Sequence, residues 1–289
     1  GGAGHIRAAE ALHQAAQTID LPIRSKHYDC LDFTSPLFKR LYAGSYLAMV
    51  NNMPELWGYL HAQTERRPYD KKGVLKIFDH FNYDRYLREL AAMKPDAIIC
   101  THFLPYISVS DRLRSAGIDA PVFAATTDFD VHQLWINPIV SRYYVHHEES
   151  AWQLNAKGVE RDRIVVAGIP VLREFGARRN ARSSRSKLGL PQGRFTVLIL
   201  SGGFGVGRIE SLVDQTTNTL AAYVGRRFNL LVVCGRNERL KSLLEKRKFP
   251  HNIEARIFGF VGKIYELMDA ADILISKSGG LTSAEAMSK

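Results

Sequence analysis

Short β-branched runs alternate with amphipathic stretches along most of the chain, the rhythm of parallel strands covered by helices. Ala97-Ile98-Ile99-Cys100, Val122-Phe123-Ala124-Ala125, Tyr143-Tyr144-Val145 and Ile164-Val165-Val166-Ala167 read as successive strands of a first unit. A second set comprises Phe195 to Leu200, Leu230 to Cys234, Ile253 to Ile257 and Ile273 to Ile275, with helical segments at 208–224, 237–247 and 263–271. Between the sets, Arg173 to Lys187 carries Arg173, Arg178, Arg179, Arg182, Arg185 and Lys187 with almost no apolar residue, which reads as a basic linker. The expected organisation is a first domain at 1–172, a linker at 173–187 and a second domain at 188–289. Ligands of such sheets sit beyond the carboxyl ends of the strands, so two facing units are expected to hold a site in the cleft between them.

A content of 46% hydrophobic and 24% charged residues excludes disorder and coiled coil. The 289 residues, at roughly 150 per domain, suffice for two cores without metals or disulfides. Cys30, Cys100 and Cys234 stand far apart and spell no disulfide framework or metal motif, which fits a reducing, cytoplasmic setting. Apolar runs fall short of the ~18 residues that a spanning helix needs. The glycine-rich opening without Met, and a last residue inside a helical pattern, read as a fragment clipped at both ends. Lys and Arg exceed Asp and Glu by 39 to 29, giving a net charge of +10 and an expected affinity for polyanions or anionic lipid. No zinc-finger, basic-zipper or RNP-type motif is present, so nucleic acid is not the expected partner.

Ser201-Gly202-Gly203-Phe204-Gly205-Val206-Gly207 follows a buried strand and opens a helix, where unhindered amides can cradle a phosphate. It is not a Walker A loop, because Arg208-Ile209 replaces Lys-Ser/Thr. A dinucleotide site lacks its acid after the next strand, which ends Val233-Cys234-Gly235 and disfavours an NAD-dependent oxidoreductase. A second such loop, Ser276-Lys277-Ser278-Gly279-Gly280, precedes the helix Leu281 to Met287, and two anion-binding helix starts suggest a diphosphate. Glu285 in that helix can accept both hydroxyls of a ribose; otherwise it is a solvated helix residue, and the glycine turns are then only turns. In the first domain, Gly1-Gly2-Ala3-Gly4-His5 forms a loop before a helix over Arg7 to Gln17. A helix N-terminus there favours a neutral imidazole suited to a general base. Asp128 and His132 follow the Val122 strand at the same edge, His132 serving the site or the scaffold. His146-His147-Glu148-Glu149 reads as surface rather than a metal site, since adjacent side chains diverge. Leu31 to Pro68, with Phe33, Phe38, Tyr42, Tyr46, Trp57 and Tyr59 beside Lys39, Arg40, Arg66 and Arg67, reads as an interfacial membrane element or as a helical hairpin on the first sheet.

Taken in order, Gly2-Ala3-Gly4-His5, Thr127-Asp128-Phe129 with His132 and Trp135, Gly168-Ile169-Pro170, Gly202-Gly203-Phe204-Gly205, Cys234-Gly235-Arg236-Asn237, Gly259-Phe260-Val261 and Ser276-Lys277-Ser278-Gly279-Gly280-Leu281-Thr282 with Glu285 carry a resemblance. The chain resembles the monogalactosyldiacylglycerol synthase family, which includes bacterial processive diacylglycerol glucosyltransferases and is related to glycosyltransferase family 28. The resemblance implies the GT-B fold: two Rossmann-like parallel-sheet α/β domains facing a cleft. It further implies an inverting transfer of a hexose from a UDP-sugar to diacylglycerol, with no metal or other cofactor, by an enzyme peripheral on the inner face of the cell membrane. His5 is then the base, with Asp128 its partner or alternative. Gly202, Gly203, Phe204, Gly205, Ser278, Gly279, Gly280, Leu281 and Thr282 hold the diphosphate, Glu285 the ribose, and the backbone at Phe260 and Val261 the uracil. Gly4, His132, Trp135, Trp57, Lys39 and Arg40 face the lipid acceptor or membrane. Alternatives are another lipid-linked acceptor, or a non-catalytic binder of nucleotide-sugar or lipid. Leu172 stands where the family often has Arg, and Ser278 where glucosyltransferase members commonly have Pro.

Overall fold

The computed structural model describes residues 2–36, 39, 74–177, 179–200 and 209–289. The chain divides into two compact units, Gly1–Leu172 and Arg173–Lys289. In the first, strands β1 (Ile98–Cys100), β2 (Val122–Ala125), β3 (Val140–Val145) and β4 (Ile164–Val166) form a parallel sheet in the order β1-β2-β3-β4. The helices around it include α1 (Ala3–Thr18), α2 (Val74–Met93), α3 (Leu104–Val109) and α4 (Glu148–Ala156). Ala8 and Ala11, three apart on α1, are buried, which lets the helix backbone lie close to the unit it covers. Tyr83, Tyr86, Leu87 and Leu90 of α2 join Cys100, Tyr106, Val122, Trp135 and Tyr143 in the first core.

The second unit has the order β7-β6-β5-β8, all parallel, with β5 at Phe195–Leu200, β6 at Phe228–Val233, β7 at Ile253–Phe258 and β8 at Ile273–Ser276. Every residue of β6 is buried, as a central parallel strand covered on both faces requires. Its helices include α5 (Arg173–Gly176), α6 (Ala181–Lys187), α7 (Ile209–Ala221), α8 (Glu238–Glu245), α9 (Ile264–Ala270) and α10 (Gly280–Met287). Chain order runs from β5 outward to β7 on one side and places β8 on the other, so the order reverses between β5 and β8. A crevice opens at such a switch point. Leu200 and Ser276, the last residues of these two strands, are register partners there.

Two expectations about secondary structure are corrected. Residues 173–187 include the helices α5 and α6 and belong to the second unit rather than to a bare linker. Phe175 is fully buried, and the Arg185 guanidinium is consumed internally: Nε donates to the Ala270 carbonyl at 2.8 Å and an Nη contacts Asp272 at 2.7 Å. The opening residues are helical from Ala3, with Gly2 as N-cap, so His5 lies in the first turn of α1 rather than in a loop. All three cysteines are buried free thiols. Burial pushes the thiols of Cys30 and Cys100 up to about 12 and that of Cys234 to about 11, which leaves them inert as nucleophiles. Among the described residues, no helix is long and apolar enough to cross a membrane.

Candidate active site

In the first unit the site is built around His5. Its Nδ1 lies 3.0 Å from the carbonyl oxygen of Thr101 and 2.5 Å from Thr127 Oγ1. A carbonyl only accepts, so Nδ1 carries the ring proton and the neutral ring keeps its lone pair on Nε2. Thr127 Oγ1 is also 3.4 Å from the Thr101 carbonyl, to which its hydroxyl donates. In return, the Thr101 hydroxyl donates to the carbonyl of His5 at 2.8 Å. Thr101 directly follows β1 and Thr127 closely follows β2, so the carboxyl ends of two adjacent strands hold the His5 ring. Burial lowers the affinity of His5 for a proton below the usual 6.5, and the negative charge of Asp128 opposes this. Asp128 is exposed and acts on His5 through its charge. Hydrogen bonds to the ring come from Thr101 and Thr127.

His102, which no motif had singled out, lies next to Thr101. Its ring stands edge-on to His5, with centroids 4.4 Å apart and an interplanar angle of 82°. Its Nδ1 accepts the Leu104 N–H at 3.0 Å. A histidine one or two residues beyond the end of a strand in a parallel sheet was the signal available, since that edge is where ligands bind.

Other expected acceptor residues are placed differently. Trp135 has no exposed surface and sits in the first core, where its carbonyl accepts from Tyr106 Oη at 2.7 Å. Its indole body is needed there to fill the space between β-sheet and helices, so it cannot face a lipid. His132 is 8% exposed and its Nδ1 accepts from the Leu134 N–H at 3.1 Å, capping a 3₁₀ turn: the scaffold reading holds. Gly4 is in the first turn of α1. Lys39 is ion-paired to Asp32. Phe33 packs against Tyr86 with ring centroids 5.5 Å apart, so this aromatic belongs to the first core. Trp57, Arg40 and most of the segment Leu31 to Pro68 lie outside the described residues. His147 caps α4, and His146 Nδ1 is 3.0 Å from Ser150 Oγ, so the histidine pair serves the helix start.

In the second unit, Gly202, Gly203, Phe204 and Gly205 likewise lie outside the described residues. The partner loop is described. Gly279 is the N-cap of α10 and has an ordinary backbone (φ −80°, ψ 131°) with no side-chain cap, so the first amides of the helix are not taken up by a capping side chain. A Cβ built at Gly279 meets nothing within 4 Å among the described residues. Ser278 is exposed, Gly280 and Thr282 are half-buried, and Leu281 turns its side chain into the interior, leaving only its backbone for a ligand. Glu285 is 2% exposed, which rules out the solvated helix residue. At the other end of the same sheet edge, Phe260 is 60% exposed beyond β7, with Val261 half-buried beside it. The Arg236 guanidinium, following β6, lies 5.3 Å from the centre of the Phe260 ring. The backbone reaches this position through Gly235 at φ +60°, a conformation that favours glycine.

A family model described as monogalactosyldiacylglycerol (MGDG) synthase matches residues 5–171, and one described as glycosyltransferase family 28 C-terminal domain matches residues 196–289. A processive diacylglycerol beta-glucosyltransferase of Bacillus cereus (strain B4264) is 30% identical, over 99% of this chain and 71% of its own length. One from Bacillus cytotoxicus is 29% identical over the same shares. Among solved structures, the S. aureus MnaA-UDP co-structure has a TM-score of 0.50 at 12% identity, covering 74% of this chain and 62% of that one, a likeness of fold. The expected fold class, GT-B with Rossmann-like parallel-sheet units, is borne out. With its first unit matched almost end to end and its second matched from β5 onward, the chain belongs to the monogalactosyldiacylglycerol synthase family.

Proposed function

We propose that the protein is a glycosyltransferase that moves a hexose from UDP-glucose or UDP-galactose to diacylglycerol, with inversion at the anomeric carbon. The observation that carries this reading is the His5 ring. Its Nδ1 proton is held by the Thr101 carbonyl, so Nε2 is the basic nitrogen, and burial keeps the ring neutral near pH 7. Nε2 takes the proton of the acceptor hydroxyl as that oxygen bonds to the anomeric carbon. The bond from that carbon to the diphosphate breaks, and UDP leaves with the electron pair.

The departing charge is met by the first amides of α10 and its dipole, so a metal ion is not required for the step. Glu285 binds the ribose, and the uracil lies by Phe260 and Val261. From β7 to β8 the sheet spans three strand spacings of about 4.8 Å, a reach that suits an extended nucleoside diphosphate lying along the carboxyl edge. Because the acceptor is a lipid and the chain carries a net charge of +10, the enzyme works on an anionic membrane surface, on its cytoplasmic face.

The test is UDP release from UDP-hexose and diacylglycerol vesicles. His5→Ala is expected to lower kcat by about 10²–10⁴-fold while UDP affinity is unchanged. Normal turnover by this variant overturns the base assignment. Vesicle binding should need anionic lipid and weaken with salt; binding indifferent to both removes the docking claim.

A further inference from the structure

Thr101 and His102, consecutive residues after β1, both converge on His5. Thr101 takes up the Nδ1 proton and donates its hydroxyl to the His5 carbonyl. His102 contributes a ring, edge-on at 4.4 Å. The orientation of that ring is set in turn from its own side. Its Nδ1 accepts the N–H of Leu104, at the start of α3, at 3.0 Å, and Phe103 lies against it with centroids 4.1 Å apart. Trp135, in the core behind, has its ring centroid 6.3 Å away. A ring nitrogen that accepts a backbone N–H carries no proton, so protonating His102 at Nδ1 breaks the bond to Leu104.

We propose that His102 is a positioning residue for the transfer: a ring locked in its neutral tautomer by Leu104, which covers one side of His5, fixes the direction of its Nε2 and keeps water and a second positive charge away from the base. The inference rests on the reading of His5 as base and deepens it. Three linked contacts support it; the bond from Leu104 also satisfies the first amide of α3, as His132 and His147 do at their own turns, and here it fixes the tautomer of the ring beside His5. The charges acting on His5 are those of Asp128, in the loop after β2, which raises its proton affinity, and of the chain's first amino group, which lowers it; His5 in turn acts on His102. Burial drives His102 well below 6.5, with His5 adding to the effect, so the ring is neutral wherever His5 is.

The readout is the pH profile of kcat/KM for UDP-hexose with diacylglycerol vesicles, measured on the protein alongside UDP affinity and thermal stability. His102→Ala should lower kcat by about 10- to 100-fold, as misdirection of a catalytic group does. The KM for the UDP-hexose should stay within about twofold, because the donor groups belong to the other unit. The acid limb should move to higher pH, since the uncovered His5 is better hydrated. His102→Phe keeps the ring but not the acceptor for Leu104, and should leave the acid limb near its wild-type position. A purely structural role lowers thermal stability in both variants and moves neither acid limb. If His102→Ala keeps wild-type kcat and acid limb while His5→Ala is inactive, or if the Ala and Phe variants shift alike, the positioning role is wrong and the base assignment stands. If His5→Ala itself turns over normally, the base assignment fails and this inference fails with it.

Discussion

In Gly1–Leu172 the reactive group is a single side chain clamped by the loops after two strands, whereas in Arg173–Lys289 the candidate groups are backbone amides, one buried carboxylate and one exposed ring. His5 is oriented before any substrate arrives, by bonds to Thr101 and Thr127. The start of α10, by contrast, offers amides with no capping side chain, and among the described residues nothing lies within 4 Å of a Cβ placed on Gly279. The difference follows from the chemistry. A base must present one lone pair in one direction, which takes several tertiary contacts to hold. A diphosphate is met by any set of convergent N–H groups, which the first turn of a helix supplies on its own.

The contrast predicts a division of phenotypes between the units. The largest effect is that of His5→Ala, which strikes kcat and spares UDP binding. Gly279→Val should do the reverse. The backbone there is unstrained for a β-branched residue and a Cβ meets nothing among the described residues, so thermal stability should be unchanged while UDP affinity falls by about 10-fold or more, as expected when a side chain fills a phosphate site. Wild-type UDP affinity in Gly279→Val would reduce the glycine turn to a turn. Next in size, Thr127→Val keeps the shape of the side chain and removes the hydroxyl at Nδ1, and should lower kcat by about 10-fold, the order of one lost hydrogen bond; an unchanged kcat would leave Thr101 as the sole orienting group. Phe260→Ala should weaken UDP binding by only about fivefold, in keeping with an aromatic contact of about 1 kcal/mol. No change there would move the uracil off that ring.

Acid should separate the units as well. His5 and His102 are both held below 6.5 in the folded protein, so the unfolded chain takes up protons first as the pH falls. Their contribution to stability is present in full above 6.5 and is lost as the pH drops through the two lowered values. Acidification below 6.5 should therefore lower the melting temperature first, and kcat/KM as the pH then passes through the lowered value of His5. A double variant lacking both histidines should show a flatter melting temperature over the same window, and a slope as steep as that of the parent protein would point to other groups.

Much of the fold was legible in the sequence. Phe195 to Leu200 is β5 residue for residue: a short run rich in β-branched and apolar residues, bounded by polar ones, reads as a strand, and Thr196 to Leu200 are buried. The start of α1 at Ala3 was not, since glycines at 1, 2 and 4 signal a loop whether or not a helix begins among them. That Trp135 is buried in the core, and which of its two open readings His132 takes, could not be read, because proximity in sequence to Asp128 says nothing about which way a side chain turns. Arg185 looked like solvated linker charge, yet Asp272 and the Ala270 carbonyl, more than 80 residues away, draw it in.

By itself, the sequence determined the alternation of strands and helices, the division into two units and the glycine turn at Gly279 between a strand and the helix that carries Glu285, because periodicity and local backbone preference are written in neighbouring residues. Only the tertiary structure decided which nitrogen of His5 keeps its lone pair, that Glu285 is buried, and that His102 stands against the His5 ring. Each of these depends on groups that chain folding brings together from distant positions, and a hydrogen bond between residues 5 and 101 leaves no local trace.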